Sequence, residues 1–216
     1  DLFSGDYQVY AYRFNDDSGV TVADAVKMRR HLAYIEPFDS PYKMIAADVN
    51  SSNNVSIADV IVVRRYLAML DTLPSGNWVF VNGTFPITME NWYEAPREFR
   101  VTILYNDVLL DPFVGVRMGD VNDTWGGVKR YTKPASADFV SVGIGNVVAQ
   151  AGQTVAIPVT VADADDLAGL ELHVAYDSLV LTYTGIASEA MADMTVNGGN
   201  GAVHMIWEDI NAPKQF

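Results

Sequence analysis

Two stretches in the first third of the chain repeat the same order of polar and apolar positions. Residues 13–38 and 48–73 align at an offset of 35 positions, with an Asn, a Val, an Ala-Asp pair, an Arg-Arg pair and a Leu-Ala pair in register. In each copy, a polar stretch leads into a helical period of apolar residues. The predicted apolar faces are Val22, Val26, Leu32 and Ile35 in the first helix and Ile57, Ile61, Leu67 and Leu70 in the second. The match in register indicates a duplication whose two helices pack together.

Beyond residue 76 the apolar positions form shorter runs and then follow a period of two. The segments predicted to be strands are 78–81, 99–105, 113–118, 140–148, 154–161, 170–176, 180–186 and 202–207. Turn-forming residues separate the later strands at 151–153, 163–166 and 197–201. Several short strands at this spacing predict an antiparallel β-sandwich.

The two patterns predict an α+β chain with two units. The front unit, residues 1–131, contains the paired loop-helix repeats and a small β-rich extension over 76–127. Residues 132–137, with a Pro-containing stretch, form a linker to the β-sandwich over 138–216. The chain begins without Met or a leader-like segment, and we expect it to be a fragment of a longer protein.

The polar stretch 48–59 carries the strongest chemical signal. A twelve-position calcium loop supplies oxygen ligands at positions 1, 3, 5, 7, 9 and 12. Counted from residue 48, the predicted ligands are Asp48, Asn50, Ser52, the carbonyl of Asn54, Ser56 through a water molecule, and Asp59. Asn53 takes the position that usually needs Gly, and Asn enters the left-handed region more readily than most residues. The alternative is a turn in which Asp59 only favours the positive end of its helix.

The corresponding stretch of the first copy, 13–24, matches the pattern less well. Its predicted oxygen ligands at positions 3, 5, 7 and 12 are Asn15, Asp17, the carbonyl of Gly19 and Asp24. Position 1 is Arg13, a cation where the pattern needs a carboxylate. Two alternatives stay open: the Arg13 side chain replaces the ion, or a slip of one residue lets Asp16 contribute.

A third Asp-Val-Asn string occurs at 120–122, after the predicted strand 113–118. No helix with an acidic position 12 follows it. The favoured interpretation is therefore a turn that ends the strand, and metal ligation by Asp120 or Asn122 is the alternative.

Composition narrows the classes of partner. The formal net charge of -13 argues against a nucleic acid or an anionic lipid surface, because both need a cationic face. No apolar run approaches the length of a membrane span. The chain has no cysteine, which excludes disulfides, thiolate metal sites and a cysteine nucleophile. The arginine pairs are interpreted as a solvated helix face or, alternatively, as a basic patch: Arg29, Arg30, Arg64 and Arg65.

The sequence lacks the motifs of common enzyme classes. It has no nucleophile elbow, P-loop, dinucleotide fingerprint or zinc-protease string. His31, His173 and His204 lack a metal-like spacing and are interpreted as structural residues. Neighbouring acids such as Glu208 and Asp209 are interpreted as solvated charges, because glycoside hydrolysis needs two acids about 5 to 9 Å apart across a cleft. We expect a non-catalytic protein.

The string DVNSSNNVSIADVIVVRRYLAML, residues 48–70, resembles a type I dockerin segment, whose loops read D-x-N-x-D-G. The resemblance implies two EF-hand-like units that bind calcium and that dock to cohesins through helix residues near loop positions 10, 11, 17 and 18. In this chain those positions hold Val22, Ala23, Arg29 and Arg30, and then Ile57, Ala58, Arg64 and Arg65. The hydroxyl pair often found at positions 10 and 11 is missing, so the chain departs from the family pattern there.

Residues 151–186, AGQTVAIPVTVADADDLAGLELHVAYDSLVLTYTGI, resemble the first half of a cohesin. A whole cohesin is longer than residues 138–216, so the resemblance implies an incomplete cohesin-like jelly roll. The order of the two parts is similar to that of secreted multidomain proteins of Bacteroidetes-type bacteria. The strings 71–73, Asp-Thr-Leu, and 177–179, Asp-Ser-Leu, resemble the acceptor motif for O-glycans in such proteins.

These resemblances imply an extracellular or cell-surface module for protein assembly, adhesion or display. They imply a protein partner of the cohesin or dockerin kind, in the same chain or in another. The alternative is an anchoring appendage of a secreted hydrolase, for example a carbohydrate-active one, whose catalytic domain lies outside these residues.

Overall fold

A computed structural model of the chain describes residues 5–13, 18–103, 113–125, 140–162, 167–188, 191 and 193–211. The helices are α1 (Val22–Leu32), α2 (Pro41–Ala47), α3 (Ile57–Leu67) and a short 3-10 helix (Trp92–Glu94). The strands are β1 (Gly5–Val9), β2 (Trp78–Asn82), β3 (Phe99–Ile103), β4 (Phe113–Arg117), β5 (Ser141–Ile144), β6 (Val159–Ala162), β7 (Gly169–Ala175), β8 (Thr195–Gly199) and β9 (Ala202–Glu208). The predicted α+β class is confirmed.

Helices α1 and α3 begin at equivalent residues of the two sequence copies. Thr21 and Ser56 are the N-caps, and both have an extended backbone. Three residues further on, Asp24 and Asp59 accept hydrogen bonds from the backbone N–H of these caps. The duplicated sequence therefore gives duplicated helix starts.

The predicted apolar face of α3 was wrong at three of its four residues and right at Leu67. Ile57 and Ile61 are 57% and 49% exposed, and Leu70 is also exposed. The buried apolar residues of α3 are Val60, Val63 and Leu67. Because residues 60–63 are all apolar, the helical period was compatible with more than one face, and packing selected between them.

Helix α2 connects the two copies and was not predicted. Its first residue is Pro41, which suits the first helical position, and the Ser40 side chain accepts a hydrogen bond from the N–H of Tyr42. The helix buries the apolar residues of its last turn and leads directly into the loop at residue 48.

The strands of the front unit form two antiparallel pairs, β1 with β3 and β2 with β4. The predicted strands over 78–81 and 113–118 are confirmed to within one residue, and the strand over 99–105 is confirmed as far as residue 103, since residues 104 and 105 lie outside the described ranges. Strand β1 was not predicted. Val79, Val81 and Val116 join the core that the helices form. This packing holds the end of β4 close to α1.

In the second half, β5 pairs with β6, and β9 lies between β7 and β8 in an antiparallel sheet. Two predictions for this half were wrong. Residues 180–186 form no strand, and the predicted turn at 197–201 contains the end of β8, with the turn only at 200–201. Glycines concealed this strand, because its stability comes from pairing with β9 and not from its own side chains. The predicted linker at 132–137 and the predicted turn at 163–166 lie outside the described residues.

The three-stranded sheet packs against the helices of the front unit. Ile206 of β9 is fully buried in the core that contains Val60 and Val63 of α3. Val26 of α1 packs against Ala168, just before β7. The two halves of the chain therefore share buried apolar surface.

Candidate functional site

The loop over residues 48–59 brings three of its six predicted ligands within hydrogen-bonding distance of a fourth, Ser52. The Ser52 N–H donates to Asp48 Oδ1 at 2.8 Å and to Asn50 Oδ1 at 2.9 Å. Its hydroxyl donates to the carbonyl of Asn54 at 3.0 Å. The N–H of Asn53 donates to the other Asp48 oxygen at 3.0 Å. A carboxylate, an amide oxygen, a hydroxyl and a carbonyl are thus gathered within one turn of chain.

Asp59 closes this loop from the first turn of α3. One carboxylate oxygen accepts from the N–H of Asn50 at 3.3 Å, and the other accepts from the N–H and the hydroxyl of Ser56 at 2.9 and 3.2 Å. Asn53 has φ +62°, in the left-handed region that its position requires. The geometry agrees with the predicted spacing of the loop.

The two carboxylates of this loop are buried without a positive partner. Asp48 is 1% exposed and Asp59 is 0% exposed. Among the described residues, no lysine or arginine forms an ion pair with either of them. Burial raises the pKa of Asp59, although hydrogen bonds from Ser56 and Asn50 oppose this, and the nearby Asp48 charge adds to the rise. Two buried carboxylates that interact electrostatically favour a bound cation.

Two of the four ligands predicted for the first copy, Asn15 and Asp17, lie outside the described residues, as does Asp16. The other two, Gly19 and Asp24, lie at the start of α1. The Arg13 guanidinium carbon lies 4.3 Å from the ring centre of Trp125 and 5.0 Å from that of Trp78. Arg13 therefore contacts aromatic rings.

The turn after β4 lies against the start of α1. Asp24 Oδ1 accepts from the N–H of Val121 at 2.9 Å and from that of Asn122 at 3.2 Å. The hydroxyl of Thr124 donates to the carbonyl of Gly19 at 2.9 Å. Residues 120–125 thus meet Gly19 and Asp24 across about a hundred positions of sequence.

The turn itself has the hydrogen bonds of the first half of a calcium loop. The N–H of Thr124 donates to Asp120 Oδ1 and to Asn122 Oδ1, each at 3.1 Å. The N–H of Trp125 donates to the second oxygen of Asp120 at 2.7 Å. Asp120, Asn122 and Thr124 therefore occupy the roles that Asp48, Asn50 and Ser52 have in the continuous loop.

The second half of the pattern comes from the start of α1. Asp24 Oδ2 accepts from the N–H and the hydroxyl of Thr21 at 2.9 and 3.1 Å, as Asp59 does from Ser56. The contact between Thr124 and the Gly19 carbonyl matches the contact between Ser52 and the Asn54 carbonyl. We call residues 48–59 the continuous loop, and residues 19–24 together with 120–125 the split loop.

The split loop is tightly packed and negatively charged. Asp24 is 0% and Asp120 is 5% exposed. Burial raises the pKa of Asp24 to about 7, and the charge of Asp120 contributes to the rise. Gly19 has φ +95°, and a Cβ on it would lie 2.7 Å from the Cβ of Trp125 and 3.0 Å from an Asp120 oxygen. Only glycine fits where its carbonyl approaches this turn.

Both loops fit a hard cation with oxygen ligands. Each offers two carboxylates, one amide oxygen, one hydroxyl and one backbone carbonyl, which are the donors that Ca²⁺ prefers. Each loop brings two carboxylates into this arrangement, since Asp123 of the split loop is exposed, and no group of three or more His, Cys, Asp or Glu residues that could hold a metal ion occurs among the described residues. The negative charge that each loop offers to a cation is therefore low for a calcium loop.

Sequence reasoning did not place the turn that contains Asp120 and Asn122 beside the start of α1. Their turn does end a strand, as expected, because β4 stops at Arg117. The signal for this contact was the third Asp-Val-Asn string, which has no acid of its own at position 12. That acid is Asp24, supplied by a distant part of the chain.

The histidines lie in two places. The His31 ring stacks on Phe38, with ring centres 4.2 Å apart, and its Nδ1 accepts from the Phe38 N–H. His173 and His204 are cross-strand neighbours on β7 and β9, with ring centres 4.4 Å apart, a pairing that the sequence did not reveal. None of the three contacts the continuous or the split loop in the described part of the chain.

Comparison with protein families gives two matches. The model of the dockerin type I domain matches residues 14–68, and the model of the cohesin domain matches residues 140–214. The chain therefore contains a dockerin followed by a cohesin domain, as the sequence resemblance implied. Both are non-catalytic assembly domains, and cohesin and dockerin modules are partners of each other. Residues 120–125 lie outside both matches.

Searches of curated proteins and of solved structures gave no significant match. No helix in the described part of the chain is long and apolar enough to cross a membrane.

Proposed function

We propose that this chain, with a dockerin type I domain followed by a cohesin domain, is an extracellular, calcium-stabilised module that assembles proteins and performs no catalysis. The observation that carries the proposal is the pair of loops whose buried carboxylates and neutral oxygen donors share one hydrogen-bonding pattern. The two family matches supply the assembly role.

Calcium in the continuous loop would be held by Asp48, Asn50, Ser52, the carbonyl of Asn54 and Asp59. It would neutralise two carboxylates that burial leaves without a positive partner. Because the unfolded chain has no preformed site, the free energy of calcium binding would add to the free energy of unfolding. The ion would thereby fix the loop to the first turn of α3.

Calcium in the split loop would be held by Asp24 and the Gly19 carbonyl from one side and by Asp120, Asn122 and Thr124 from the other. This set replaces Asn15 and Asp17 of the sequence prediction. The ion would tie the end of β4 to the start of α1, two elements far apart in sequence. We therefore propose that the front unit extends at least to residue 125.

The low ligand charge supports an extracellular location. Calcium loops of extracellular modules bind in the range of about 10⁻⁴ to 10⁻³ M, weaker than those of intracellular sensors. Two carboxylates per loop, with Ser52 or Thr124 in place of an acid at the fifth position, suit this range. Calcium at about 1 mM outside a cell would fill such a loop to about one half at the weak end of this range and to about nine-tenths at the tight end.

The proposal is tested by thermal unfolding of the full chain during a calcium titration. We expect the melting temperature to rise with calcium, and Asp48→Ala to lose part of the rise. Asn53→Gly is the matched control, because Asn53 lies in the same loop and its side chain is not among the proposed ligands. A melting temperature that does not change up to 10 mM calcium, which is about ten times the weakest expected Kd, would refute the calcium proposal.

A further inference from the structure

The packing of the cohesin-type sheet on the dockerin-type helices is centred on one buried acid. Glu208, the last residue of β9, is 6% exposed, and its side chain is fully buried. Its Oε1 lies 3.2 Å from Arg29 Nη1 and 3.4 Å from Arg64 Nη1. Its second oxygen has no hydrogen-bond partner among the described residues. A carboxylate in this position is costly unless both cations remain beside it.

The two arginines occupy equivalent positions in the duplicated helices, 35 residues apart. One arginine comes from α1 and the other from α3, and both reach the same carboxylate oxygen. The contact therefore depends on the helices being held side by side. The sequence interpretation of a solvated arginine face applies to Arg65, whose exposed side chain pairs with Asp71, and not to Arg29 and Arg64.

Polar contacts around Glu208 fix the orientation of the sheet. The Asn197 side chain on β8 donates to the carbonyls of Ala68 and Met69, at the end of α3, at 2.9 and 3.2 Å. Arg64 also donates to the carbonyl of Asp193, and Arg30 Nε donates to the carbonyl of Ile210 at 3.4 Å. These bonds satisfy carbonyls at the end of α3, just before β8 and just after β9.

The apolar part of the contact is directed by strand alternation. Ile206 and Glu208 are two residues apart on β9 and therefore point to the same face. Ile206 enters the helix core, and Gly169, which lies opposite Glu208 in the sheet, has no side chain to hold the helices away. Ala168 then contacts Val26 of α1. Shape and charge thus select the same placement of the sheet.

We propose that the dockerin-type helix pair and the β7–β9–β8 sheet form an intramolecular docking pair, and that Glu208 determines its specificity by binding Arg29 and Arg64 together. This inference deepens the proposed assembly function, on which it rests, by naming the chain's own sheet as the partner of the helix pair. The part of α1 and α3 that carries Arg29 and Arg64 is consequently covered, and another protein binds there only by displacing the sheet.

The test measures a distance between the two halves in the intact chain. Because the protein has no cysteine, spin labels attach only at Ile61→Cys on α3 and Leu179→Cys beyond β7, both of which are exposed. Pulsed electron resonance in saturating calcium is expected to give one narrow distance distribution. Glu208→Arg places three cations together and should broaden the distribution to several times its original width, and Glu208→Gln should broaden it less.

Two further variants make the result specific. Glu171→Arg reverses a charge on β7 at an exposed residue whose carboxylate lies 3.5 Å from His173 Nε2, and it should keep the narrow distribution. Exchanging the charges, with Arg29→Glu, Arg64→Glu and Glu208→Arg together, should restore it. An unchanged distribution in Glu208→Arg, or a broad one in the unsubstituted chain, would overturn the docking proposal.

The experiment separates the two proposals. Chains labelled singly at position 61 and mixed with chains labelled singly at position 179 should show no defined distance; if they do show one, the contact joins two molecules and the intramolecular proposal is wrong. A narrow distance in a chain that binds no calcium would remove the calcium proposal and leave the docking intact. Calcium binding together with a broad distance distribution would remove the docking proposal and leave the calcium proposal intact.

Discussion

The continuous loop and the split loop reach the same arrangement of oxygen atoms by different routes. In the continuous loop, twelve consecutive residues supply all of these oxygen atoms. In the split loop, Gly19 and Asp24 supply one half, and Asp120, Asn122 and Thr124 supply the other. A loop of this kind therefore requires that its two halves be placed correctly in space, and a continuous chain is only one way to place them.

The difference has a structural consequence. An ion in the continuous loop would link neighbouring segments, so its effect would be local. An ion in the split loop would link α1 to the end of β4 and would restrain a much longer stretch of the unfolded chain. Removing a ligand from the split loop should therefore destabilise a larger part of the protein than removing one from the continuous loop.

The largest expected effect comes from removing Asp24, the acid that accepts hydrogen bonds from both halves of the split loop. In saturating calcium, Asp24→Ala removes a ligand and leaves the N–H groups of Thr21, Val121 and Asn122 without their acceptor. We expect a loss of about 4 kcal/mol in the free energy of unfolding, against about 3 kcal/mol for Asp59→Ala in the continuous loop. Urea unfolding measures both, and a greater loss for Asp59→Ala would contradict the comparison.

The second prediction concerns pH in the absence of calcium. The pKa of Asp24 is about 7 in the folded protein and 3.8 in the unfolded chain, because burial opposes its charge. The folded state then holds the extra proton between these values, so the free energy of unfolding falls as pH rises from about 4 to 7, by at most ~1.4 kcal/mol per pH unit. Asp59, whose pKa is also raised by burial, contributes in the same direction.

Thermal unfolding in the presence of a calcium chelator at pH 5 and pH 7.5 tests whether stability falls with rising pH. The melting temperature should be lower at pH 7.5, and calcium should raise it more at pH 7.5 than at pH 5. Asp24→Asn should reduce the pH dependence. The lowered pKa values of Glu36 and Asp39, which follow from hydrogen bonds with Lys27 and Lys43, act below pH 4.5 and do not interfere. Burial also lowers the pKa of His31, which makes stability rise with pH up to about 6.5 and so opposes the effect of the carboxyls. An Asp24→Asn variant with the same pH dependence as the unsubstituted protein would show that the buried carboxyl of Asp24 does not behave as described.

The third prediction adds charge to the loops. Ser52→Asp places an acid at the fifth position of the continuous loop, and Thr124→Asp does the same in the split loop. Each should raise the calcium affinity of its own loop about tenfold, or about 1.4 kcal/mol. Ser51→Asp adds the same charge one position earlier and is the control. If it raises the affinity as much as Ser52→Asp, a general charge effect would explain the gain and ligation by the fifth residue would not.

The smallest expected effect distinguishes the two helix starts. Ser56 Oγ accepts a hydrogen bond from the N–H of Ala58, whereas the Thr21 side chain makes no such cap bond. Ser56→Ala should therefore cost about 1 kcal/mol, and Thr21→Ala only a few tenths of a kcal/mol. Chemical unfolding in calcium resolves the difference, and equal losses would show that the two helix starts are energetically alike.

The continuous loop could be predicted from sequence because its information is local. Asp48 to Asp59 carry the ligand types at the required spacing, and the structure places them as that spacing implies. The duplicated helices and three strands of the front unit were likewise readable from short-range pattern. The dockerin and cohesin resemblances, which rest on local motifs, agree with the family matches.

What could not be read from sequence depends on distant contacts. The pairing of Asp24 with Asn122, and of Glu208 with Arg29 and Arg64, joins residues that no local period relates. The same cause explains the wrong face of α3 and the missed strand β8, since each was decided by packing against another element. A repeated motif without its expected ending, as at residues 120–122, is the sign that a partner segment lies elsewhere.

The most direct test of the two-loop account is the number of calcium ions bound per chain. Isothermal titration of the full chain should give two ions, and Asp120→Asn, which lies outside the dockerin match, should give one while leaving the affinity of the continuous loop unchanged. Asp123→Asn, three residues away and exposed, should still give two. If Asp120→Asn binds as many ions as Asp123→Asn, the split loop holds no calcium and the central claim is wrong.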